Sequence, residues 1–136
     1  MNAHKAKLRI LLAVSMIGIG LMHFFAPEGF VRIVPEWLPA PLTLVLVSGL
    51  FEIAGGVGLL VPKVRRAAGL GLIALYLAVF PANIHMAAAD VQPPGFHIPE
   101  ILLWVRLPFQ ALFIVWAWWC SRESTTHEKA LVSTQN

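Results

Sequence analysis

Charge is what this chain of 136 residues has least of: only 12% of it is Asp, Glu, Lys or Arg. Soluble domains carry about a quarter charged residues, so this chain has about half of what it needs to coat a globule in water. A soluble single domain is not expected. Cysteine is nearly absent as well, and the lone Cys120 excludes an internal disulfide framework, a CxxC redox pair and a Cys-based zinc site. Disorder is excluded from the opposite direction, because 58% of the residues are hydrophobic and the mean hydropathy is +0.75. The net charge of +3 sits in short runs despite a pI near 9.5, which does not favour nucleic acid as a partner.

What is present is four apolar runs, 10–26, 41–61, 67–89 and 101–120, of 17, 21, 23 and 20 residues. A membrane-crossing helix needs about 20 apolar residues, and apolar helices without a polar face are rare in soluble proteins. The expected fold is all-α: an integral membrane four-helix bundle with four transmembrane helices, in one domain covering 1–120. The first run follows Lys5, Lys7 and Arg9, as a signal peptide does. Phe24-Phe25-Ala26 followed by Pro27 lacks a small-x-small cleavage site, so the run is read as a retained helix. Residues 121–136 are expected to be a mobile polar tail.

Orientation follows from the basic residues. Lys5, Lys7, Arg9, Lys63, Arg65, Arg66, Arg122 and Lys129 fall on one side of such a bundle, against Arg32 alone on the other. By the positive-inside rule both termini are expected in the cytoplasm. Trp37 and Trp104 then mark the outer interface, Trp118 and Trp119 the inner one. Pro35, Pro39 and Pro41 stiffen one outer connector, and VQPPGFHIP at 91–99 forms a second.

Ionisable and polar residues inside the spans are the functional candidates. They are His23, Glu52, Asn83, His85, Arg106 and Gln110. Glu52 lies near the middle of the second run. Its helical neighbours Ser48, Gly49, Gly55 and Gly56 are all small, which places its face inside the bundle. A similar stripe, Gly71, Ala74, Ala78 and Ala82, runs along the third helix to His85. Pro81 and Pro108 each free a backbone carbonyl in the outer half of a span. These features predict an outward-opening polar cavity lined by the six residues, with Glu52 ionised and paired to Arg106. The competing reading is architectural, a buried pair that fixes helix register. His23 and His85, joined by His97, have no further ligand at metal-binding spacing, so no metal site is expected. Cys120 reads as a small apolar core residue, and AGGVG, mid-span without a following Lys-Ser/Thr, is no phosphate loop.

The segments HFFAPEGFVRIVPEWLP, SGLFEIAGGVGLLVP, RRAAGLGLIALYLAVFPANIHMA and LLWVRLPFQ resemble the DoxX-like family of small four-helix membrane proteins over roughly residues 10–120. The resemblance implies a multi-pass protein of the bacterial cytoplasmic membrane. It implies a link to thiosulfate:quinone oxidoreduction or to oxidative-stress complexes, with receptor-assembly chaperones among more distant relatives. The family's intramembrane glutamate maps to Glu52 and its asparagine–histidine pair to Asn83 and His85. With Cys120 as the only cysteine, sulfur chemistry is expected to fall to a partner. The expected function is an accessory subunit of a membrane-associated redox system, with quinone as the candidate cofactor. A membrane assembly factor and a small-solute carrier are the alternatives. The expected partners are the lipid bilayer, a membrane or soluble redox protein, and a second copy of the chain.

Overall fold

A computed structural model of the protein describes residues 3–92, 94–95 and 97–122. Five helices follow one another: α1 (Ala3–Phe25), the short α2 (Pro27–Val31), α3 (Pro41–Leu60), α4 (Arg65–Ala88) and α5 (Glu100–Ser121). No strand occurs among the described residues. Prolines set several starts: Pro27 and Pro41 open α2 and α3, where a missing amide costs nothing, and Pro99 precedes α5. The four long helices are each long and apolar enough to cross a membrane, the make-up of a multi-pass helical membrane protein.

The helices alternate in direction, which their contacts fix residue by residue. α1 meets α3 head to tail, because Gly56 faces the carbonyl of Ala13 and Gly49 faces His23. α3 meets α4 through Gly55 against Leu72 and Gly58 against Ala68. α4 meets α5 through Asn83 against Gln110 and Met86 against Arg106. The α1–α3 crossing is a close one. A Cβ at Gly49 would lie 2.5 Å from His23 Cβ, so only a hydrogen there allows this approach.

This alternation gathers the described basic residues other than Arg32 and Arg106 at one end. There Lys5 Nζ donates to the carbonyl of Arg122 at 2.5 Å and Arg9 Nε to that of Cys120 at 2.9 Å, tying the start of α1 to the end of α5. Lys5 also lies over Trp119, and Arg122 over Trp118. Next to this end is the larger core, Leu12, Ala13, Met16, Leu59, Leu72, Tyr76, Ala117 and Cys120. A smaller core of Met86, Ala87 and Leu103 holds the far ends of α4 and α5 against Ile33 and Ile98. Gln92 braces the 90–99 connector by exchanging hydrogen bonds with the backbone of Ile98, at 2.7 and 3.1 Å.

Two sequence expectations change here, and a third falls almost wholly outside the described residues. α1 begins at residue 3, seven residues before the apolar run, because Lys and Arg propagate a helix as well as Leu does. The small-residue stripe of the third span does not point inward as a whole. Gly71 has nothing within 4 Å, Ala74 is exposed, and the packing face is set by Gly69, Leu72 and Tyr76. The expected tail lies outside the described residues from 123 on, while Ser121 is still helical and buried.

Candidate functional site

Between the two cores, in the half of the bundle away from the basic end, lies a cavity of about 830 Å³ that opens at the surface. That volume is within the range of small-molecule sites, about 300–1,000 Å³. All four long helices line it, and the connector before α3 folds over it with Phe30, Ile33, Val34, Trp37 and Leu38. Its wall is apolar for the most part, with Phe51, Phe109 and Phe113 among its aromatic rings. The expectation of a polar cavity is corrected to an apolar chamber carrying a few polar groups.

Glu52 is one of those groups, delivered by α3 on the face its small neighbours define. It is only 8% exposed, and its Oε2 is buried without a hydrogen bond. The nearest polar partner is His23 Nδ1 at 3.4 Å, across the close α1–α3 crossing. That nitrogen also lies 2.9 Å from the carbonyl of Ile19, one turn back in α1. A carbonyl only accepts, so the Nδ1 hydrogen is directed there and Glu52 receives none of it. Phe30 stacks on the other side of the imidazole, with ring centroids 3.8 Å apart, and so links the connector to α1.

The expected Glu52–Arg106 pair is absent: among the described residues, Glu52 has its ion-pair contact with His23. Arg106 instead donates from Nη1 to Met86 Sδ at 2.9 Å, along the α4–α5 seam. Depth along a helix predicts height in the membrane but not rotation about the bundle, and rotation separates these two side chains. Both nevertheless line the same cavity.

Asn83 and Gln110 form a chain across the α4–α5 seam. Asn83 Nδ2 donates to Gln110 Oε1 at 2.6 Å, and Gln110 Nε2 donates to the carbonyl of Tyr76 at 2.5 Å. Tyr76, the only tyrosine of the chain, donates its hydroxyl to Met16 Sδ near the cavity floor. The helices run unbroken through Pro81 and Pro108.

Five of the six candidates, His23, Glu52, Asn83, Arg106 and Gln110, therefore line one cavity. His85 does not. Its Nδ1 lies 3.2 Å from the carbonyl of Ile33 and fastens the end of α4 to the connector. Sequence reasoning missed the aromatic walls and Tyr76, since an apolar ring in a span looks the same whether it meets lipid or a cavity. It placed Trp37 at a membrane interface, and the structure adds that Trp37 lines the cavity while 73% exposed. No three His, Cys, Asp or Glu side chains cluster as metal ligands among the described residues, and His97 is exposed.

Comparison with known families finds a match: a model described as "Domain of unknown function (DUF8561)" aligns with residues 12–121. No curated protein and no solved structure matches the chain.

Proposed function

We propose a function for this chain, which belongs to the DUF8561 family, from its cavity: it binds a quinone-like amphiphile as an accessory subunit of a membrane redox system. The single observation that carries the reading is an 830 Å³ apolar chamber in which a buried carboxylate, a histidine and a guanidinium line one space. The chamber suits an aromatic head with a hydrophobic tail. Phe51, Phe109 and Phe113 supply flat apolar contact and exclude water, and Arg106 offers donors to a head-group oxygen. The orphaned Glu52 Oε2 is an acceptor that a hydroxyl on such a head would satisfy. A bound quinone supplies two-electron, two-proton redox chemistry, while the chain's own residues bind, orient and shield. The resemblance to the DoxX-like family supports the same reading.

The proposed setting is the bacterial cytoplasmic membrane, with both termini inside. Lys5, Lys7, Arg9, Lys63, Arg65, Arg66 and Arg122 at one end of the bundle support it. The cavity then lies in the outer half. The test is to purify the full chain in mild detergent, extract it with organic solvent, and identify bound quinone by absorbance and mass spectrometry. Stoichiometric quinone is expected. An extract without it, together with no saturable binding of an added short-chain quinone or quinol, overturns the proposal.

A second reading, a membrane assembly factor, is favoured by Gly18 and Gly71, outward-facing positions with no heavy atom within 4 Å of an added Cβ. Such positions let a partner helix approach closely. Co-purification with a larger membrane complex that bulky substitutions at both glycines abolish is its expected result.

A further inference from the structure

Among the described residues Glu52 is the one carboxylate that lines the cavity, and none of them hydrogen-bonds its buried Oε2. His23 is close, but its Nδ1 hydrogen is committed to Ile19, as shown above. Across the same space Arg106, among the described residues, donates to Met86 Sδ alone, a weak acceptor that a better one displaces readily. The cavity thus presents an unsatisfied acceptor and an under-used donor, set in an apolar wall.

These two needs discriminate between ligand chemistries. A cationic head would satisfy Glu52 but meet Arg106, so net charge does not favour it. An oxidised quinone carries acceptors only; one carbonyl suits Arg106, and the other would meet an ionised Glu52 oxygen to oxygen. A quinol carries both functions on each oxygen. One hydroxyl donates to Glu52, and the oxygen of the other accepts from Arg106. Leaving a buried acceptor unpaired costs more than a new hydrogen bond gains, so the mismatch with the oxidised form weighs heavily.

We propose that this cavity selects the reduced, hydroxyl-bearing form of a quinone-like amphiphile over the oxidised form, with Glu52 accepting the hydroxyl hydrogen bond. The proposal rests on the quinone reading above and adds the redox form that is bound and the residue that reads it. Glu52 acts here as a binding and specificity residue.

The experiment measures equilibrium binding of duroquinol and duroquinone to the full chain in nanodiscs, by dialysis under anaerobic conditions. Duroquinol is expected to bind about ten-fold more tightly, the ratio that a hydrogen bond to a charged acceptor sets. Glu52→Gln keeps the side chain's shape but adds an N–H donor, and should bring the two affinities within about two-fold of each other. Equal affinities in the unmodified protein overturn the selectivity and leave the quinone reading standing. A preference for duroquinone makes Glu52 a donor and also overturns it. A quinol preference that persists in Glu52→Gln overturns the role given to Glu52. Binding of neither compound overturns both the selectivity and the quinone reading.

Discussion

A methyl group at position 49 has no room, since its carbon would lie 2.5 Å from His23 Cβ and 2.9 Å from the carbonyl oxygen of Gly20. Gly49→Ala is therefore expected to cost about 1–3 kcal/mol, as overpacking of a tight contact does, and to lower the Tm in detergent. Gly18→Ala, where an added Cβ meets nothing within 4 Å, should not lower Tm and serves as the control. A double-mutant cycle makes the next residue-scale test. With Glu52 on His23 and Arg106 on Met86, the stability losses of Glu52→Gln and Arg106→Met should add within about 0.5 kcal/mol. A larger coupling would mean that the two side chains pair after all. The setting of Glu52 was legible in the sequence, because four small neighbours on one helical face leave little doubt about which side packs. Its partner was not, since the rotation of one helix relative to another is written in contacts between distant segments. His85 went astray for a related reason: a connector that folds back over the bundle supplied the Ile33 carbonyl that claims it.

At the scale of elements, α4 and α5 are joined by a polar chain in the cavity half and by close packing of Gly69 on Ser121 near the basic end. Gln110 is its central link, accepting from Asn83 and donating to the Tyr76 carbonyl. Gln110→Leu keeps the volume roughly and removes both bonds, leaving Asn83 and Tyr76 O to find other partners in an apolar setting. A loss of about 1–3 kcal/mol is expected, read as a lower Tm in detergent, whereas Gln110→Glu, which sets a carboxylate oxygen against the Tyr76 carbonyl, should lose at least as much. Equal Tm values for Gln110→Leu and the unmodified chain would show that the chain is ornamental to stability. The existence of the four long helices was readable, because run length against membrane thickness is a one-dimensional criterion, while the charged first turns of α1 fell outside that criterion. The inward face of α4 was not. Nearly all its residues are apolar, so periodicity carries no contrast, and the small residues Gly71 and Ala74 turn outward while Leu72 packs beneath Gly55. α3 was easier because it carries one charged residue to mark its inner side.

For the whole molecule, the gathering of basic residues at one end and a cavity in the opposite half make a directional prediction. A reporter fused after Asn136 should be active only as a cytoplasmic fusion, and one inserted near Pro94 only as an external one. External activity at the C-terminus reverses the proposed orientation. The cavity can then be addressed from outside. In a Cys120→Ser background, a cysteine at Asn83, half-buried on the cavity wall, should react with a membrane-impermeant thiol reagent added externally. A cysteine at Leu72, 1% exposed within the core next to the basic end, should stay inert under the same treatment. Steric access sets the difference, because both positions lie on α4 and eleven residues separate them, about 16 Å along the helix at 1.5 Å per residue. A ligand that fills the cavity must slow labelling at position 83 in proportion to its occupancy, so added duroquinol should protect that site more than equal duroquinone. Labelling at 83 that neither compound slows would separate an open, water-filled vestibule from the ligand chamber the apolar wall implies.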